Sequence, residues 1–266
     1  MGYGVPGVVL TPREDARIFD GLRRAIADRL GRGIQQHYVA PPVIARSIVE
    51  RVGYPLSFPH LLGWVHQAVD GERTKLSDVV LTPAACHHLY PLLADRVLKS
   101  PTTISVEGDC YRGEATFEPG RLRSFRMYEI VYLGVAEEVT NWRDSLLDAA
   151  RAWLADIGLH SDIVPASDPF FGRGGKLMAS AQRTQQLKYE LTMDVADGVV
   201  QAVGSANCHR DHFGKVFDIR GGDGLVAHSA CLAFGLDRLV LALRHRHGTQ
   251  TEQWPRGIRE NLSVSV

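Results

Sequence analysis

The first clear periodicity along the chain is helical. In DARIFDGLRRAIADRLGRG (15–33), apolar Ile18, Leu22, Ile26 and Leu30 form one stripe and glycines close the segment, which predicts an amphipathic helix. PPVIARSIVERVGYP (41–55) predicts a second helix, with proline tolerated in its first turn and Gly53 at its end. PAACHHLYPLLADRVL (83–98) adds another helical piece. The period then changes to two. From Thr102 to Val135, β-branched and aromatic residues alternate with polar ones around Glu118-Pro119-Gly120, predicting two antiparallel strands joined by a loop. A long amphipathic helix over 137–159, a flexible loop at DPFFGRGGK (168–176) and a strand-turn-strand over 187–208 follow, and a last helix begins near Gly235. Paired strands with helices between them argue for an α+β fold.

Composition narrows the function. The 266 residues, 45% hydrophobic, can bury a core as one domain or at most two. Lys plus Arg and Asp plus Glu are both 30, so the net charge is zero, whereas nucleic-acid binders usually carry a basic excess. No apolar run reaches the roughly 18 residues of a membrane span, and the N-terminus has no charged-then-apolar signal pattern, so no membrane partner and a cytoplasmic location are expected. In that reducing setting the four cysteines, Cys86, Cys110, Cys208 and Cys231, are more readily metal ligands or buried thiols than disulfides.

Two stretches carry candidate chemistry. YRGE (111–114) and RLRSFRMYE (121–129) put arginines, glutamates and an aromatic on two neighbouring strands. Such a set suits a nucleoside triphosphate: arginine forks match phosphate oxygens, a carboxylate accepts from an adenine amino group, and a ring stacks on the base. An ordinary solvent-facing hairpin with alternating charges has the same spacing. Arg238, near the start of the last helix, adds to the positive end of that helix, although arginines on helix faces are usually solvated.

Taken in order, these stretches resemble the class II aminoacyl-tRNA synthetases. YRGE followed by RLRSFRMYE is similar to their motif 2, and ACLAFGLDRL (230–239) to their motif 3. Between them, Ser205-Ala206-Asn207-Cys208 and Asp211-His212-Phe213-Gly214 resemble the S-N-C and D-F-Q segment of seryl enzymes. The resemblance runs from about residue 40 to 245. It implies a class II synthetase-like catalytic domain, an antiparallel sheet of about six strands flanked by helices. The whole of 1–266 is expected to form that one domain, with 1–40 as a helical N-terminal extension within it. It also implies a homodimer formed through motif 1, for which residues 43–65 are the candidate.

The same resemblance assigns roles. Arg112 contacts the ATP α-phosphate, Glu114 the adenine amino group and Phe125 the adenine ring, while Arg121 and Arg238 hold the β- and γ-phosphates with Mg2+. Arg112 and Arg238 are the expected catalytic residues. Gln201 and Asn207 are expected on the ATP side, Gln201 standing where the seryl family has a Mg2+-binding glutamate. Atypical, zinc-dependent seryl enzymes hold Zn2+ with Cys, Glu, Cys, and this chain offers Cys86, Glu129 and Cys231, leaving a fourth position for a substrate α-amine. Read from spacing alone, both cysteines are equally at home as small buried core residues. His87 and His88 are expected at the surface or behind the ligands, and Cys110 and Cys208 in the core.

With a short segment before the synthetase-like region and little after it, no tRNA partner is expected. The resemblance then narrows to the amino acid:[carrier protein] ligases, truncated homologues of the atypical seryl enzymes. It implies ATP-dependent activation of a small amino acid, glycine in preference to alanine, and transfer to the phosphopantetheine thiol of a carrier protein. A minimal seryl-type tRNA synthetase and a non-catalytic paralogue stay open beside it.

Overall fold

The computed structural model describes residues 4–71 and 73–264. The chain begins with α1 (Arg13–Leu30), β1 (Gln36–Ala40), β2 (Val43–Ala45), α2 (Arg46–Arg51), α3 (Tyr54–Ser57), β3 (Trp64–Ala68) and β4 (Thr74–Leu81). Two 3-10 turns, Ala85–His88 and Tyr90–Leu93, lead to β5 (Thr102–Tyr111), β6 (Ser124–Gly134), α4 (Ala136–Asp156) and β7 (Asp162–Pro165). After these come α5 (Gly172–Thr184), β8 (Lys188–Ala196), β9 (Val199–Arg210), α6 (His212–Phe217), β10 (His228–Gly235), α7 (Leu236–His247) and α8 (Arg256–Leu262).

Seven strands form one sheet in the order β1-β5-β6-β10-β9-β8-β7, and β2-β4-β3 form a small second sheet. All pairings in the large sheet are antiparallel except that of edge strand β1 with β5, which is parallel. The strand period of two splits this sheet into two faces. One face, with Tyr128, Ile130, Leu232, Phe234, Leu191 and Val203, packs on the apolar stripe of α1, on Leu147, Trp153 and Leu154 of α4, and on Leu239 and Leu243 of α7. The alternate residues form the other face. There, Glu129, Ala233, Ser205 and Glu190 lie side by side on successive strands, and Cys231, Asn207 and Lys188 form the next row.

Several expected elements differ. The segment expected as one helix over 41–55 opens instead as β2, because Val43–Ala45 find ladder partners on β4, and only then turns helical. Residues 83–98 form two 3-10 turns rather than a regular helix. The stretch expected as a loop from Asp168 enters α5 at Gly172. Its glycines oppose helix formation locally, but Gly175 packs so closely on Phe170 that a Cβ would lie 2.4 Å from the Phe170 carbonyl oxygen. The backbone N–H of Phe171 donates to the Ser57 carbonyl at 2.9 Å. The stretch just before the expected last helix, unassigned by periodicity, is β10 (His228–Gly235), an inner strand buried along both faces, so it reads as a continuous apolar run rather than an alternation. Among the described residues, no helix is long and apolar enough to cross a membrane.

Candidate active site

Two adjoining cavities open on the face of the sheet away from α1 and α4. Arg112, Phe125, Met127, Lys188, Ser205 and Ala233 line both, so the two form one cleft.

The first cavity holds most of the residues expected around ATP. Arg112, Glu114, Arg121, Phe125 and Arg238 all line it. Arg112 follows β5 directly; its backbone N–H donates to Arg123 at 2.9 Å, and its guanidinium lies 5.9 Å from the centre of the Phe125 ring. The buried Nε of Arg112 has no hydrogen-bond partner among the described residues. Arg238, from the first turn of α7, donates to the carbonyls of Gly120 at 3.0 Å and Ala202 at 2.7 Å. Burial, with the charges of Arg121 and Arg112 beside it, pushes Arg238 down to about 10. Three arginines lining one cavity, one of them with a stranded N–H, make a strong anion site.

The second cavity, about 380 Å3, contains Cys86, Glu129 and Cys231, each at most 5% exposed. They come from the first 3-10 turn, β6 and β10, three elements remote in sequence. The Cys86 thiol is hydrogen-bonded to Cys231 and to Glu129, and the backbone N–H of Ala85 donates to the Glu129 carboxylate at 2.9 Å. The Cys86 hydrogen bond holds Cys231 well below the ordinary thiol value, against burial and with help from His209 and Asn207. That same bond, with burial and Glu129, raises Cys86. Burial and then the Cys231 charge push Glu129 up to about 7.

Among the described residues, no group of three or more His, Cys, Asp or Glu stands ready-made for a metal ion. The donor types are nevertheless ones that zinc takes: two thiols and a carboxylate line the same cavity. Each histidine expected near these ligands has a distinct place. His87 is buried and kept neutral, its value lowered to about 3 by burial and then by His209 and His88, while His88 shares a 3.1 Å hydrogen bond with Thr82. Cys110 is buried in the core as expected and Cys208 is partly buried, and both also line this cavity.

Two of the expected ATP-side residues sit elsewhere. Asn207 faces the second cavity, its amide 3.5 Å from the Cys231 sulfur, because it pairs with Cys231 across β9 and β10. Gln201, 4% exposed, lies behind the first cavity and donates to Glu118 at 2.6 Å and to the Pro119 carbonyl at 2.7 Å. Its Nε2 turns toward Glu118, while its Oε1 is buried with no partner among the described residues.

Sequence reasoning missed Lys188, Asp168 and His209. Lys188 lines both cavities and donates to Asp168 at 2.7 Å, with Glu190 at 3.2 Å. His209 lies 3.5 Å from the Cys231 sulfur and contacts Ser229 and Tyr90. Of the three, Lys188 alone stands in a strand row with a site residue, Asn207, visible once register is known.

No family model matches the chain. It is 38% identical to amino acid–[acyl-carrier-protein] ligase 1 of Bradyrhizobium diazoefficiens, over 91% of this chain and 83% of the relative. The same organism's ligase 2 is 39% identical over 85% of this chain and 74% of the relative. The chain belongs to the amino acid–[acyl-carrier-protein] ligases. This family member also resembles the type-2 serine–tRNA ligase of Methanopyrus kandleri, at 29% identity over 71% of this chain and 39% of that enzyme. Its fold is that of the seryl-tRNA synthetase catalytic domain: the solved M. kandleri enzyme superposes with a TM-score of 0.82 at 22% identity, over 98% of the ligase chain and 57% of the synthetase.

Proposed function

We propose that the protein activates a small amino acid with ATP and transfers it to the phosphopantetheine thiol of a carrier protein. The observation that carries this reading is the shared cleft, in which three clustered arginines adjoin a thiol–carboxylate–thiol pocket. First, a carboxylate oxygen of the amino acid attacks the ATP α-phosphorus. The bond to the β-phosphate oxygen breaks, giving an aminoacyl-adenylate and pyrophosphate. Arg112, with its unpaired N–H, receives the charge that grows on the α-phosphate. Arg121 and Arg238 hold the departing phosphates, Glu114 accepts from the adenine amino group and Phe125 stacks on its ring. Mg2+ bound to the triphosphate would supply further neutralisation of its charge. No protein base is needed, because a carboxylate is already a nucleophile. In the second step the carrier thiol attacks the adenylate carbonyl carbon. A thioester forms, the bond to the phosphate oxygen breaks, AMP leaves, and the thiol proton passes to solvent.

Cys86, Glu129 and Cys231 would hold a zinc ion, which supplies a Lewis-acid grip on the neutral α-amine and selects for a free amino acid. Asn207, beside Cys231, and Ala233, beside Glu129, shape the wall around that amine. The reading favours glycine, then alanine. It also takes the chain as one catalytic domain, acting in the cytoplasm as a homodimer joined through residues 43–65, without tRNA.

Incubation of a phosphopantetheinylated carrier with enzyme, ATP and mixed amino acids tests it by intact mass. A gain matching one glycine or alanine residue is the expected result. An unmodified carrier alongside a charged tRNA would replace this reading with tRNA ligation.

A further inference from the structure

We propose that Gln201 and Glu118 form a latch that closes the β5–β6 loop over the nucleotide cleft. In this role both are positioning residues.

The loop spans residues 112–123, and its tip is tied down at three points on the strand and helix behind it. Gln201 of β9 donates to the Glu118 carboxylate at 2.6 Å and to the Pro119 carbonyl at 2.7 Å. Arg238 of α7 donates to the Gly120 carbonyl at 3.0 Å. Arg121 places its Nε 3.4 Å from the same Glu118 oxygen that Gln201 holds. Gly120 allows this approach: at φ +78°, a Cβ there would lie 2.7 Å from Gln201 Oε1 and 3.3 Å from Arg238 Cγ.

The choice of amide at 201 follows from this contact. Glu118 is half-exposed but its partner is 4% exposed, so a carboxylate at 201 would face a second carboxylate at 2.6 Å in a nearly dry setting. Two such groups cannot both stay ionised. An amide donates where a carboxylate would repel. Its other end is also informative: Gln201 Oε1 is buried with no partner, so the side chain is oriented by its Nε2 contacts alone. The latch holds Gly120, Arg121 and Leu122 as part of the cavity wall. Its effect on catalysis rests on the reading of that cavity as the ATP site.

Trypsin digestion of the nucleotide-free protein tests the latch without any activity. Cleavage after Arg121 or Arg123, measured by mass relative to cleavage after Arg183 of α5, reports loop opening rather than global unfolding. Gln201→Glu should speed loop cleavage by at least about ten-fold, the effect of losing one charge-assisted hydrogen bond. Glu118→Ala, at the exposed tip, should do the same and serves if the buried variant does not fold. The exchanged pair Gln201→Glu with Glu118→Gln restores one donor and one acceptor and should return the rate toward that of the unaltered protein. Unchanged cleavage in the single variants, or no recovery in the exchanged pair, overturns the latch. In ATP–pyrophosphate exchange, the single variants should raise KM for ATP more than they lower kcat. Absence of exchange in the unaltered protein would defeat the ATP reading and leave the digestion result standing.

Discussion

Asp237 holds Arg126 by two hydrogen bonds, accepting from its backbone N–H at 2.6 Å and from its guanidinium at 2.7 Å. This contact ties the first turn of α7 to β6, and so fixes Arg238, the next residue, against the strand that carries Phe125 and Glu129. Burial raises the Asp237 carboxyl above its ordinary value even against Arg126, so the pair stands or falls together. Asp237→Ala should destabilise the fold by about 2–4 kcal/mol, read from urea unfolding, and raise KM for ATP. Asp237→Asn, which keeps one acceptor, should cost less on both measures.

Arg112 enters the cleft with a buried N–H that has no partner among the described residues. Its removal should therefore leave stability nearly unchanged while lowering amino-acid-dependent ATP–pyrophosphate exchange by about 10²–10³-fold. Arg112→Lys should recover little, since an ammonium cannot reproduce a guanidinium fork. A melting temperature within a degree or so of the unaltered protein, measured beside exchange, separates this outcome from misfolding.

Chelation or Cys231→Ala should remove bound zinc, read by elemental analysis, and bring exchange to background. Cys86→Ala should do likewise, since its thiol contacts both other groups of the pocket. Full turnover in metal-free protein would exclude zinc from the chemistry.

The Lys188–Asp168 pair predicts an acid limb to stability. Burial works to raise the Asp168 carboxyl, but the Lys188 charge and the hydrogen bonds from Gln182 and Lys188 outweigh it, leaving the group below its ordinary value of 3.8. A depressed carboxyl contributes stability that is fully present above that ordinary value and is lost as pH falls through the lower, folded one. Asp168→Asn should accordingly be less stable near neutrality, with the gap to the unaltered protein shrinking below about pH 4. Denaturant midpoints taken from pH 7 down to pH 3 measure it; a constant gap would mean the pair carries no linked proton.

Much of the fold was legible where one periodicity dominates. The stripe Ile18, Leu22, Ile26 is buried as its spacing requires, and the alternation around Glu118-Pro119-Gly120 becomes the β5–β6 pair. Two elements were not legible. His228–Gly235 is apolar on both faces because it is an inner strand, so nothing in its period distinguishes it from the helix that follows. Gly172–Thr184 is a helix against its own propensities, held by contacts with Phe170 and Ser57 that lie outside the segment.

For the candidate site, Arg112, Glu114, Arg121, Phe125 and Arg238 were singled out by the resemblance of their stretches to the class II synthetase motifs, and all five line one cavity. That resemblance could not say that Asn207 turns to Cys231, that Gln201 turns to Glu118, or that Lys188 spans both cavities. Those follow from strand register and from which buried polar group finds which partner. Register is settled by packing across the whole sheet, so no local stretch of the chain contains it.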